Sequence, residues 1–140
     1  MKSINSYLIF NGNTEEAMNF YKSIFGGELS EIYRYKDTPE SEKIQPSEGE
    51  TIMHVALPIG KDTVLMASDS LESMGQKLIV GNNFYLIIDV DSKEEADSLF
   101  GKLSAGGKIE MPMEDTFWKA YFGMIEDKFG IHWMINYMYE

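Results

Sequence analysis

The feature that most constrains the fold is a helix-forming segment that occurs twice, 79 residues apart. The first copy runs from Asn13 to Gly27 and the second from Ser92 to Gly107. Each opens on a residue favoured at helix N-caps, and Glu16 and Glu95 stand where a capping box needs them. Apolar residues then recur at i, i+3/i+4 and i+7, and paired glycines end each copy. This pattern predicts two copies of one supersecondary unit.

Strand-like runs surround both helical segments in the same order. One run precedes each helix and three follow it, at 7–10, 31–36, 51–57 and 63–67 in the first copy and at 84–88, 108–113, 117–125 and 131–137 in the second. They are short and separated by glycine, proline or polar turns, as strands are. We therefore predict an α+β fold of two βαβββ modules. They would form a curved, cup-like mixed sheet with helices outside and a concave face suited to a ligand.

The predicted boundaries make residues 1–140 a single domain. Module one covers about 4–68, a polar linker about 69–82, and module two about 83–140. Within module one, the polar segment 37–50 holds two prolines and has Ile44 as its only sizeable apolar residue. Because little burial offsets the entropy of ordering this segment, we predict a mobile loop.

Composition excludes several classes of site and partner. The chain of 140 residues has no cysteine, so disulfides, thiolate–metal sites and a cysteine nucleophile are excluded. A formal net charge of −11 makes nucleic acid and anionic membranes poor partners. No apolar run approaches the ~20 residues that span a bilayer, and Met1 to Asn5 lack the apolar segment of a signal peptide. We therefore expect a cytoplasmic protein that does not bind membranes.

Several short segments of the chain carry a family resemblance. They are Phe10-Asn11-Gly12-Asn13, Phe20-Tyr21, Met53-His54, Asp115-Thr116-Phe117-Trp118, Tyr121-Phe122-Gly123 and the run from Asp127 to Met134. Together with the repeated module, they resemble the vicinal-oxygen-chelate superfamily of glyoxalase I, extradiol dioxygenases and bleomycin- and fosfomycin-resistance proteins. The closer resemblance is to its PhnB-like branch, labelled 3-demethylubiquinone-9 3-methyltransferase-like. It spans nearly the whole chain and implies the fold, but the fold supports many chemistries.

The resemblance also implies where a metal would be held. Metal-dependent members of the superfamily carry a His or Gln on the first strand of each module and a Glu on the last. The matching first-strand residues here are Ser6 and Tyr85, and the last-strand positions fall at Leu65 or Met66 and at Met134 or Asn136. None is a histidine or an acid, which transition metals prefer over hydroxyl and thioether groups. We therefore predict no metal and no cofactor.

The chain has two histidines, His54 and His132, and His54 has two interpretations. Either can be a strand histidine with a structural hydrogen bond and no catalytic task. Alternatively, His54 faces the cup as a general base or as a hydrogen-bonding partner of a ligand, which makes it the catalytic candidate.

Aromatic and methionine side chains are the other candidate site. Strand alternation sets Trp118 and Phe122 on one face of the strand-like run 117–125, and Met134 and Tyr85 belong to the same module. Most such residues form core, but a face of this kind that lines the cup could stack a flat apolar ligand. Arg34 is the only arginine and would bind a ligand carboxylate or phosphate, or else a surface acid.

We therefore predict a PhnB-like protein that binds an unidentified small molecule in an apolar, aromatic-lined cup without metal. The alternatives are a glyoxalase- or dioxygenase-type metalloenzyme with displaced ligands, or a resistance-type antibiotic-binding protein. A methyltransferase is disfavoured, because no glycine-rich nucleotide loop follows a strand. A homodimer is also expected, since the resemblance implies one and aromatic-rich sheet ends are costly to leave in water.

Overall fold

The fold was described from a computed structural model of residues 1–140, which leaves out only the side chain of Glu40. The chain divides into two compact units, Met1–Ile79 and Val80–Glu140. Each unit holds one helix of 12 residues, α1 (Thr14–Phe25) and α2 (Lys93–Ser104). Both ends of the two helices are 79 residues apart, so the repeat is confirmed. Among the described residues, neither helix is long and apolar enough to cross a bilayer.

Each unit also holds a four-stranded mixed sheet. The strands are β1 (Ser6–Phe10), β2 (Ser30–Arg34), β3 (Ile52–Ile59) and β4 (Thr63–Asp69) in the first, and β5 (Leu86–Asp89), β6 (Lys108–Asp115), β7 (Ala120–Glu126) and β8 (His132–Met138) in the second. The strand orders are β1-β4-β3-β2 and β5-β8-β7-β6. The parallel pairs are β1 with β4 and β5 with β8, the first and last strands of each module in chain order. The other pairs are antiparallel. The α+β fold of two βαβββ modules is confirmed, with two separate sheets.

Each helix packs on one face of its own sheet. In the first module α1 buries Ala17, Met18 and Tyr21 completely. Full burial of each large apolar side chain contributes about 1.5–3 kcal/mol. In the second module, Gly123 on β7 makes the close approach possible, because a Cβ there would lie 2.8 Å from Cε2 of Phe100 on α2. This contact identifies which face of β7 the helix covers.

The N-terminus of α1 is capped differently from the prediction. Asn13 makes no side-chain capping bond. Instead, Oδ1 of Asp69, at the end of β4, accepts from the backbone N–H groups of Gly12 (2.9 Å) and Thr14 (3.0 Å) and from the Thr14 hydroxyl (2.7 Å). Its Oδ2 accepts from the backbone N–H of Ile52 at 2.9 Å. The buried carboxylate thus ties the first residue of α1 and the turn before it to β3 and β4.

The second helix follows the prediction more closely. Ser92 accepts a hydrogen bond from the backbone N–H of Glu95 at 3.1 Å, as an N-cap residue does. The carboxylate of Glu95 reaches back one residue further than in a capping box, and accepts from the backbone N–H of Asp91 at 3.0 Å.

Two segments differ in structure from their sequence-based description. The predicted loop 37–50 contains short 3-10 turns and is held at its base by a hydrogen bond from Lys36 N to Gly49 O, 3.0 Å long. Its mobility stays a prediction.

Trp118 was expected on a strand but lies in the turn between β6 and β7, which is closed by a hydrogen bond from Thr116 N to Ala120 O at 2.8 Å. Lys119 adopts a positive φ of 63° there, which ends the strand pattern.

Candidate functional site

The face of the second sheet turned away from α2 collects most of the predicted binding residues. Tyr121 marks the opposite, helix-covered face, because its hydroxyl donates to Asp97 on α2 at 2.6 Å. Phe122 therefore points away from the helix, since successive side chains alternate. Met124 shares the side of Phe122 and lies opposite Met134 on β8 in the sheet register. We call this surface, formed by Ile87, Phe122, Met124, Met134 and Trp118, the open face of the second module.

Aromatic side chains form one end of the open face. The rings of Trp118 and Phe122 lie 6.0 Å apart, centroid to centroid, in a T-shaped arrangement with an interplanar angle of 65°. Phe117 meets Trp118 edge-on at 5.0 Å. Trp118 is 46% exposed and Phe117 is 94% exposed. Trp118 is thus held by ring contacts with Phe117 and Phe122, while much of the apolar surface of Phe117 and Trp118 remains exposed.

Flexible apolar side chains continue this surface. Met134 lies opposite Met124 on one neighbouring strand and opposite Ile87 on the other. Further along β8, Asn136 is buried and donates from Nδ2 to Oδ1 of Asp89 at 3.0 Å. Methionine side chains adapt to irregular ligand shapes, whereas the amide–carboxylate pair gives the surface a polar boundary.

A histidine network lies at the other end of the open face. His132, two residues before Met134, is buried. Its Nδ1 is 3.2 Å from Oε1 of Glu110, and its Nε2 is 3.3 Å from Oε1 of Glu126. A neutral imidazole has one donor and one acceptor nitrogen, and an ionised carboxylate only accepts. Both contacts of His132 are therefore hydrogen bonds only when the imidazole or one of the two carboxylates carries an additional proton.

Tyr85 completes this network. Its hydroxyl donates to the Glu110 carboxylate, with oxygen distances of 3.1 and 3.0 Å, and its ring meets that of His132 at 5.1 Å. Burial of the phenol, followed by the hydrogen bond to Glu110, raises the pKa of Tyr85 and keeps it a neutral donor. Glu110 therefore joins the edge strand β6 to both other residues.

The first module arranges its histidine in a related way. His54 on β3 lies 3.2 Å from the Tyr7 hydroxyl through Nδ1 and 3.5 Å from a Glu31 carboxylate oxygen through Nε2. The ring also stacks near Tyr33, with centroids 6.4 Å apart. Both nitrogens of His54 thus have polar partners, so its geometry suits positioning by hydrogen bonds. Its catalytic role stays a prediction.

Arg34 belongs to the first module and is paired with acids of its own unit. Its guanidinium makes two hydrogen bonds to the Glu15 carboxylate, at 3.0 and 2.8 Å, and one to the backbone oxygen of Glu50 at 2.8 Å. The bond to Glu15 raises the pKa of Arg34, and Arg34 in turn lowers the pKa of Glu15. A ligand anion would have to compete with this bidentate pair.

The side chains at positions where the family resemblance implies a metal are poor metal ligands. Ser6 on β1 lies opposite Leu65 on β4, and Met134 lies opposite Ile87 on β5. These hydroxyl, aliphatic and thioether groups are poor ligands for transition metals. Among the residues that the structure describes, no three His, Cys, Asp or Glu side chains are grouped so that they could hold a metal ion. In the His132 network, the two carboxylates contact opposite ring nitrogens, which a single ion cannot bridge.

The structure therefore brings Trp118, Phe122, Met134 and Tyr85 into one module and places Arg34 in the other. Sequence reasoning missed the part played by Glu110. An acid on an edge strand has the same sequence pattern as a solvated surface residue. Its partner is 22 residues away in the chain, so only strand pairing reveals the contact.

Comparison with known proteins gives consistent matches over nearly the whole chain. A family model described as 3-demethylubiquinone-9 3-methyltransferase matches residues 2–136. Protein PA1353 from Pseudomonas aeruginosa, a solved structure, is 38% identical with a TM-score of 0.89, and the match covers 100% of both chains. A solved structure described as a PhnB protein, from Bacillus cereus, is 29% identical with a TM-score of 0.79 and covers 97% of this chain and 99% of that one.

A more distant solved structure shows the shared fold alone. It is a glyoxalase/bleomycin resistance protein/dioxygenase family enzyme from Burkholderia phytofirmans PsJN, 20% identical with a TM-score of 0.62. The match covers 96% of this chain and 98% of that chain. The two-module architecture is therefore the one found in that family.

Proposed function

The chain belongs to the 3-demethylubiquinone-9 3-methyltransferase family, the PhnB-like branch of the vicinal-oxygen-chelate fold, and on that premise we propose that it binds a small molecule without a metal ion. The binding surface is the open face of the second module. The ligand class is a flat, apolar molecule that stacks on aromatic rings. The cup predicted between the modules, a cytoplasmic location and the absence of nucleic-acid partners stay predictions.

The observation that carries this proposal is the exposed side chains of Phe117 and Trp118, which Phe122 connects to the two methionines of the open face. Phe117 and Trp118 hold each other edge-on, yet Phe117 is almost fully exposed. Contiguous exposed apolar surface on a soluble protein is typical of a binding site. Because Met124 and Met134 adapt their shape, the surface would accept a ligand by contact rather than by a fixed set of hydrogen bonds.

The donor set supports binding that does not depend on a metal. By the family resemblance, Ser6 and either Met134 or Asn136 stand where metal-dependent relatives carry ligating side chains. None of them supplies an imidazole or a carboxylate. Binding energy would then come from apolar area removed from water, about 25 cal/mol per Å².

The first experiment measures melting temperature with 2-naphthol, a neutral aromatic probe. We expect it to raise the melting temperature of the wild-type protein and to raise that of Trp118→Ala much less, since a ligand stabilises only through the native state it binds. Tyr33→Ala is the matched control, because Tyr33 is 52% exposed and lies in the other module. If both variants lose the probe-induced rise in melting temperature equally, or if the wild type shows no rise, the open face is excluded as the binding site.

Added zinc, nickel, manganese or iron is expected to leave the melting temperature unchanged. Elemental analysis of protein purified without chelator tests the same point. Stoichiometric metal whose retention is lost in His54→Ala would restore the metalloenzyme alternative. His54→Ala that keeps full probe binding but unfolds more easily would show that His54 is structural.

We also expect the protein to be a homodimer. Phe84 and Ile109 are more than half exposed, and the edge strands β5 and β6 leave backbone groups unpaired. Pairing of two copies would remove such surface from water. Light scattering should then give about twice the chain mass of 16.0 kDa, and a mass near 16.0 kDa at micromolar concentration would exclude the dimer.

A further inference from the structure

Three side chains of the first module, Tyr7, His54 and Glu31, meet on the exposed side of its sheet. They come from three different strands, β1, β3 and β2. Tyr7 is 44% exposed, whereas its chain neighbour Leu8 is buried, because successive side chains of β1 point to opposite faces. None of the three residues belongs to the open face of the second module.

The contacts run in one order, from carboxylate to imidazole to phenol. A carboxylate oxygen of Glu31 lies 3.5 Å from His54 Nε2, and the Tyr7 hydroxyl lies 3.2 Å from His54 Nδ1. Because an ionised carboxylate only accepts, Glu31 favours the imidazole tautomer with its proton on Nε2. Nδ1 then carries the lone pair and accepts from the Tyr7 hydroxyl. A neutral imidazole therefore suits both contacts of His54, which is not true of His132.

The backbone of Glu31 departs from regular strand geometry. Its φ is 52°, a left-handed value that residues other than glycine rarely adopt. The pairing of β2 with β3 also shifts in register between Ser30 and Tyr33, the segment that contains Glu31. Strained backbone of this kind persists only where the surrounding structure holds it, and it is concentrated at functional sites.

The Tyr7 phenol is accessible and has apolar neighbours. Ile9, two residues further along β1, is 40% exposed, and Met66 lies opposite Tyr7 on β4. The ring of Tyr33 stacks near His54, with centroids 6.4 Å apart. These groups would contact the apolar part of an aromatic substrate whose reacting atom lies at the Tyr7 oxygen.

We propose that Tyr7 is a nucleophile that accepts acyl groups from aryl esters, with His54 as its general base and Glu31 as a positioning residue. A nucleophile within hydrogen-bond reach of a base that a third group orients is the arrangement of covalent catalysis. The phenol oxygen bonds to the acyl carbon, its proton passes to His54 Nδ1, and the bond from the acyl carbon to the leaving phenolate breaks. Glu31 stabilises the imidazolium that forms. Only the first module takes part, so the proposed function of the open face is a separate matter.

The test treats the full-length protein with p-nitrophenyl acetate and locates the acetyl group by peptide mass spectrometry. We expect Tyr7 to be acetylated about 100-fold faster than Tyr33, although Tyr33 is the more exposed of the two at 52%. His54→Gln should slow acetylation of Tyr7 about 100-fold, to the rate of Tyr33, and leave Tyr33 unchanged. Tyr7→Phe should abolish the fast release of p-nitrophenolate.

Two further measurements separate positioning by Glu31 from a structural role. Glu31→Ala should slow acetylation of Tyr7 about tenfold, the equivalent of one charge-assisted hydrogen bond. Glu31→Gln should keep most of the rate, because its amide oxygen can still accept from Nε2. Tyr7, Glu31 and Tyr33 face the imidazole, and the wild-type rate should fall as acid protonates His54, a pH dependence that His54→Gln should lack.

Three results would each overturn the proposal. They are acetylation of Tyr33 as fast as that of Tyr7, an unchanged Tyr7 rate in His54→Gln, and transfer of the acetyl group to His54 itself. Tyr7→Phe removes only a hydroxyl from an exposed ring, so this variant folds even if His54→Gln does not. Fast p-nitrophenolate release that survives in Tyr7→Phe would exclude Tyr7 as the nucleophile.

Discussion

Replacing Asp69 by alanine is expected to destabilise the first module by about 3–5 kcal/mol. The carboxylate accepts from three backbone N–H groups, those of Gly12, Thr14 and Ile52, and from the Thr14 hydroxyl. Alanine would leave these donors without their acceptor, and most of them are buried. It would also remove the negative charge that favours the N-terminus of α1.

Urea unfolding followed by circular dichroism measures this effect. Asp62→Ala is the matched control, because Asp62 is exposed in the β3–β4 turn and its loss should change the free energy of unfolding by less than about 0.5 kcal/mol. Asp69→Asn should give an intermediate loss, since its oxygen can still serve Thr14 while its amide faces the Ile52 N–H. Equal stability of Asp69→Ala and the control would show that the hydrogen bonds of Asp69 do not stabilise the first module.

Replacing Asp127 by alanine is expected to cost about 2–4 kcal/mol in the second module. Asp127 is buried in the turn between β7 and β8, where Oδ1 accepts from the backbone N–H groups of Phe129 (2.8 Å) and Ile131 (3.1 Å). Its Oδ2 accepts from the Trp133 indole N–H at 2.8 Å. Loss of the carboxylate would remove the acceptor of the buried indole N–H and weaken the turn.

A double-mutant cycle isolates the indole contact. Trp133→Phe removes the indole N–H, so combining it with Asp127→Ala should cost less than the sum of the two single changes. Strict additivity of the free energies of unfolding would contradict a direct Asp127–Trp133 contribution. The run from Asp127 to Met134, one of the segments that carry the family resemblance, thus has a structural explanation in its turn and indole clamp.

Local signals predicted the helices well, and long-range contacts were the source of the errors. The apolar period and the closing glycines placed α1 and α2 correctly. Asn13 stands at the N-cap position of α1 as predicted, but its side chain makes no capping bond, and an acceptor 55 residues away from Thr14 binds the start of the helix instead. A favourable residue at a cap position is only a weak preference, which a buried carboxylate with better geometry overrides.

The candidate site divides in the same way. Alternation along the chain was sufficient to put Phe122 on the side opposite Tyr121, because a strand repeats every two residues. The turn that contains Trp118 was not predicted, since Lys119 leaves the strand conformation at a positive φ. Trp118 nonetheless meets Phe122 through ring contact rather than through strand alternation.

By itself the sequence determined the two βαβββ modules, the extent of both helices and the chemical types available to a site. Only the tertiary structure decided that Glu110 reaches His132 and that Arg34 is held by Glu15. The physical reason is range. Helix periodicity and strand alternation are set by neighbours along the chain, whereas these contacts depend on strand order and register, which form only when distant segments pack together.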